Sequence, residues 1–121
     1  METVNTFIDQ LLGLPFTVGL IFIIVGLIQL LIPPKKINSF YGYRTPRSMQ
    51  SQPQWDFAQV YSSKKMMLGG VVLILLSMVK LVCKMNVSTQ MTVSFILLAI
   101  VVAGLFISTE KAIKNKFPKS E

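Results

Sequence analysis

A chain of 121 residues has room for one domain, and with 52% apolar and 14% charged residues it holds too little polar side chain to cover a soluble fold of that size. A single cysteine, Cys83, excludes an internal disulfide, and the lack of histidine removes the commonest general base and metal ligand, so hydrolytic and metal-dependent mechanisms are disfavoured and no cofactor is expected. The formal charge of +7 invites a nucleic-acid reading, but the basic residues flank apolar blocks instead of lining one face, which is how they set membrane topology; direct nucleic-acid contact is not expected.

The leader, residues 4–12, places Phe7, Ile8, Leu11 and Leu12 at helical spacing and suits a short amphipathic helix on the outer interface. It holds Glu2 and Asp9 ahead of the first apolar run, with no basic residue and no small-x-small site after that run, so it does not have the pattern of a cleavable signal. The first apolar run, residues 14–32, reaches ~28 Å as a helix, close to the hydrocarbon thickness of a bilayer. Pro15 suits its first turn and Pro33-Pro34 ends it; Gln29 is its most polar member.

The second run, residues 66–82, carries Ser77 and Lys80 as its polar interruptions, with Lys80 near enough to the end to snorkel. The third, residues 91–107, has no charge. The fold class is therefore all-α: an integral membrane three-helix bundle forming a single domain, with a cytoplasmic motif loop (residues 33–65) carrying short helices and a cytoplasmic tail (residues 108–121). Small residues in the spans (Gly19, Gly26, Gly69, Gly70, Ala99, Ala103 and Gly104) allow close helix approach, either within the bundle or across a homodimer face.

Charge gives the direction. Three crossings put the 33–65 loop and the tail on one side, with Lys35, Lys36, Arg44, Arg47, Lys64, Lys65, Lys111, Lys114, Lys116 and Lys119; the other side has Lys80 and Lys84. Ten against two predicts an outside N-terminus and a cytoplasmic loop and C-terminus. Asn86-Val87-Ser88 matches a glycosylation triplet but lies too near the membrane to carry weight.

The most specific part of the chain is polar. Residues 38–49 combine Arg44 and Arg47, three positions apart, with Tyr41, Tyr43, Gly42 and Pro46, and Trp55 follows. Thr45-Pro46 reads as a helix start, since the residue before proline is pushed to an extended conformation, Thr45 can cap and Pro46 fits a first turn. Ser51 and Gln54 repeat the signal with capping-box spacing around Pro53, and a helix can run from there through Trp55, Ala58, Tyr61 and Ser62 into the second span. Trp55 and Tyr61 suit the membrane–water boundary, with rings in the apolar layer and polar tips wet. The guanidinium of Arg44 either holds an anionic lipid headgroup or an acidic peptide, or bonds helix-end carbonyls and ties the loop to the bundle; Arg47, Lys64 and Lys65 read as headgroup contacts.

The string Gly42-Tyr43-Arg44-Thr45-Pro46-Arg47-Ser48-Met49, followed by Trp55-Asp56-Phe57-Ala58 and Tyr61, resembles the SdpI-like bacterial membrane proteins, which share a Gly-x-Arg-x-Pro loop, a downstream tryptophan and flanking transmembrane helices. The resemblance is strong over residues 20–83 and extends to the third span only in kind. It implies a protein of the bacterial cytoplasmic membrane that gives immunity to, or senses, a secreted membrane-active toxin peptide, and that in the founding system holds a small transcriptional repressor at the membrane. Tyr43, Arg44, Thr45, Pro46, Arg47 and Trp55 are by that analogy the candidates for recognising or relaying the toxin signal. Two departures bear on repressor capture: the chain looks like the three-span core alone, and Gln59-Val60 stands where some relatives carry a His-Arg pair.

Against this non-enzymatic reading stand two others. A small oligomeric transporter or channel would use Gln29, Ser77 and Ser94 to line a path, but no span contains the Asp or Glu that coupled transport usually needs. An intramembrane enzyme would have to rely on Ser77 and Lys80, at i and i+3. A snorkelling lysine beside a helix serine accounts for that pair more simply.

Overall fold

The structure, a computed structural model, describes residues 13–81 and 86–118. The expected leader helix, Cys83, Lys84, Lys119 and the side chain of Lys80 lie outside the described residues. Among the described residues three helices make up the fold: α1 (Leu14–Leu31), α2 (Gln52–Ser77) and α3 (Val87–Lys116), with a 3₁₀ turn, Met78–Leu81, extending α2. All three are long and apolar enough to cross a membrane, as the hydropathy pattern predicts.

Each boundary has a local cause. Pro15 lies in the first turn of α1, and Pro33-Pro34 follows the last α1 bond, from the Ile32 N–H to the Ile28 carbonyl. Ser51 caps α2: its hydroxyl accepts the Gln54 N–H at 3.3 Å and donates to the Gln54 side-chain oxygen at 2.8 Å, the expected capping pair. Asn86 caps α3 by accepting the Thr89 N–H at 2.8 Å, which gives the apparent glycosylation triplet a structural use. Lys114 and Lys116 lie in the last turn of α3, where cations oppose the helix dipole favourably.

The helix expected from Pro53 through Tyr61 into the second span is observed. Residues 52–65 are the first turns of α2, and the irregular stretch is 33–51. Thr45-Pro46, by contrast, does not start a helix: it makes one turn, closed by the Met49 N–H on the Thr45 carbonyl at 3.1 Å. Side chains brace this turn from both sides. Gln54 Nε2 donates to the Arg47 carbonyl at 3.0 Å, and the Ser48 hydroxyl turns back to the Tyr43 and Thr45 carbonyls at 3.2 and 3.0 Å.

The closest packing is between α1 and α2. A Cβ on Gly19 would stand 2.6 Å from the Gly70 carbonyl oxygen, so the two backbones meet where neither residue has a side chain. On α3, Val101 approaches Gly69 of α2 in this way. Of the two uses expected for small residues in the spans, packing within the bundle does not apply to those of α3: Ala99, Ala103 and Gly104 are exposed, and a Cβ on Gly104 would meet nothing within 4 Å. The buried residues of α3 (Ser94, Leu105, Thr109, Ile113) lie on a different stripe.

Candidate functional site

Buried side-chain amides of α2 fasten the motif loop to the helices: Gln54 donates to the Arg47 carbonyl, and Gln59 pairs with Tyr43. Gln59, on α2 and 1% exposed, accepts the Tyr43 N–H on its side-chain oxygen at 2.7 Å and donates from Nε2 to the Tyr43 carbonyl at 2.9 Å. It treats Tyr43 as a neighbouring β-strand would, satisfying both backbone groups of a buried loop residue. Gly42 permits the approach: its φ is +103°, and a Cβ there would collide with the Gln59 side-chain oxygen and lie 2.7 Å from Pro34.

The backbone carbonyl of Gln59 extends the network to α1. It accepts Gln29 Nε2 at 3.0 Å and the Ser63 hydroxyl at 2.5 Å, and Gln29 Nε2 also reaches the Ser62 hydroxyl at 3.0 Å. The most polar residue of the first span therefore anchors the loop-bearing helix and is 4% exposed. Ser77 is likewise engaged locally, donating to the Ile74 carbonyl at 2.6 Å.

The third helix joins through the Tyr43 side chain. The phenol donates to Glu110 Oε1 at 2.7 Å, and its ring lies 5.4 Å from that of Phe106. Burial, and then the Glu110 carboxylate, push the Tyr43 phenol well above its ordinary range, so it remains a protonated donor. Arg47 completes the triad, with Nη1 3.8 Å from Glu110 Oε2 and 3.4 Å from the Glu110 carbonyl oxygen. Half-exposed and long, this ion pair contributes little by itself; its value is that it orients the carboxylate toward Tyr43.

The six candidate residues thus divide. Tyr43, Arg47 and Trp55 turn inward; Arg44 and Pro46 are exposed; Thr45 is half-buried and exchanges hydrogen bonds with Ser48. Arg47, expected among headgroup contacts, faces Glu110. Arg44 donates to the Ser39 carbonyl, so its bond is to its own loop and to no helix end. Trp55 is the clearest correction. It is fully buried, and its indole N–H is not wet but donates to the Pro34 carbonyl at 2.7 Å, an acceptor freed because α1 ends there. Tyr61 is half-buried and stacks on Phe57 at 5.6 Å.

Sequence reasoning missed Glu110, named Ser48 only within the motif string and Gln54 only as a capping partner, and treated Gln59 only as a departure from relatives. The available signal was glutamine at positions facing the core of the second helix, where a buried amide requires partners.

With this loop, tryptophan and helix arrangement in view, the comparison with known proteins is direct: the sequence pattern of the SdpI/YfhL protein family matches residues 35–109. The chain belongs to the SdpI/YfhL family. The matched region begins after α1 and takes in much of α3, so it reaches further toward the C-terminus than the 20–83 stretch on which the resemblance was strongest. The chain is also 51% identical over 55 residues to the uncharacterized protein YfhL of Bacillus subtilis (strain 168), a match covering 46% of this chain and half the length of that protein. No solved structure matches. Family and helices together make this SdpI/YfhL chain a membrane protein.

Proposed function

We propose that this SdpI/YfhL protein is a non-enzymatic immunity or sensing protein of the bacterial cytoplasmic membrane, protecting against or detecting a secreted membrane-active toxin peptide. The carrying observation is that Tyr43 is bonded at once to α2 through Gln59 and to α3 through Glu110, while Gln59 is bonded to α1 through Gln29. A peptide that wedges between helices inside the bilayer would have to move one of these groups against the others. The loop would then change its hold, which makes Tyr43, Arg47 and Trp55 the relay. The ten-to-two charge bias supports a cytoplasmic loop and tail. On that side Phe40, 93% exposed, and Pro46, also exposed, offer a contact to a small cytosolic repressor.

The test is survival of a toxin-sensitive bacterial strain expressing this chain, alone or as Tyr43→Phe with Arg47→Gln, when challenged with the peptide. The unaltered chain raises survival and the double variant, present in the membrane at equal level, does not. Absence of protection by the unaltered chain sinks the immunity reading.

A further inference from the structure

At the loop end of the bundle lies a cleft of about 290 Å³, lined from all three helices and the motif loop. Its volume is near the lower bound of small-molecule sites, roughly 300 Å³. It exists because α1 and α3 touch little and each packs mainly on α2. Its wall is graded. Arg44 and Tyr43 form the polar end with Gln29, while Phe22, Val102 and Leu105 form an apolar shaft. Phe22 precedes Gln29 by seven residues on α1, ~10 Å along the axis.

A cationic rim above an apolar shaft is the complement of an anionic amphiphile. Arg44 bonds one loop carbonyl and has no carboxylate partner among the described residues, whereas Arg47 has Glu110. Its remaining N–H groups can take a phosphate as a fork. We propose that this cleft binds one anionic phospholipid, with the phosphate on Arg44 and an acyl chain along Phe22, Val102 and Leu105. The inference goes beyond the toxin reading and stands without it: no peptide enters the argument. It differs from loose headgroup attraction because the chain occupies a defined slot, so binding depends on the shaft as well as on charge.

The experiment is native mass spectrometry of the full chain, purified in detergent, with phosphatidylglycerol or phosphatidylcholine of identical acyl chains. One phosphatidylglycerol is retained, with a preference of about fivefold, the scale of one basic residue near an anionic headgroup. Arg44→Gln removes the preference and Arg44→Lys keeps part of it. Val102→Trp, which fills the shaft, lowers retention of both lipids, while Ile100→Trp on the exposed face does not; unchanged melting temperatures verify that all variants fold. Equal retention of the two lipids, or undiminished phosphatidylglycerol on Arg44→Gln, overturns the proposal. So does complete competition by glycerol phosphate, which would reduce the site to a free-phosphate site with no use for the shaft.

Discussion

The side-chain amide of Gln59 pairs with the backbone of Tyr43 at two points, 2.7 and 2.9 Å, across 16 residues of sequence. Both partners are buried, so neither end of this pairing has water to fall back on.

Replacing Gln59 by Leu roughly keeps the volume and strands the N–H of Tyr43, whose carbonyl still accepts the Ser48 hydroxyl. An unsatisfied buried group costs ~1–3 kcal/mol, so a loss of that size is expected. Reversible unfolding in mixed micelles measures it. A loss under ~1 kcal/mol would mean that the loop finds other partners and that Gln59 is not its anchor.

Tyr43→Phe removes one hydrogen bond to a carboxylate while leaving ring and backbone in place, and should cost ~1–2 kcal/mol. It also has an optical signature. The folded-state pKa of Tyr43 is raised, so its contribution to stability is complete below the ordinary tyrosine value of about 10 and is lost only as pH climbs from there through the raised value. Absorbance at 295 nm should retain a component ionising above pH ~10 in the wild type that is missing from Tyr43→Phe.

Trp55 is the only tryptophan, so fluorescence reports its site alone. Its full burial and its bond to the Pro34 carbonyl predict blue-shifted emission and weak quenching by acrylamide. A red-shifted, readily quenched spectrum would restore the interfacial position. Trp55→Phe should cost ~3 kcal/mol, from lost volume together with the stranded carbonyl.

The glycines sort by what they face. Gly70→Ala puts a methyl 2.5 Å from the Gly19 carbonyl oxygen and must push α1 from α2, at a cost of ~1–3 kcal/mol. Gly104→Ala, with nothing within 4 Å, should be neutral or slightly stabilising, because alanine is the better helix former. Melting temperatures of the two variants in one detergent decide the matter; equal values would contradict the packing described.

What could be read from the residues alone followed range. The three helices were legible because a bilayer admits few ways to satisfy a backbone, and the Ser51–Gln54 cap because it closes within three residues. The site was legible only as a segment. Tyr43 meets Glu110 67 residues away and Gln59 16 away, and no spacing rule links an amide on one element to a backbone on another. Trp55 misled for a related reason: its residue type suits an interface, and only the acceptor left at Pro34 lets it go dry.

The uneven attachment of α3 has a mechanical consequence. Three of its four buried residues (Leu105, Thr109 and Ile113) lie toward the loop end, near the Tyr43 and Arg47 contacts to Glu110. Inside a bilayer, apolar side chains exchange neighbouring helices for lipid tails at little cost, but lipid tails cannot replace the hydrogen bonds at the loop end. α3 is therefore a lever with its fulcrum at Glu110, and a small sideways force at the Asn86 end becomes a torque on the Tyr43 hydroxyl.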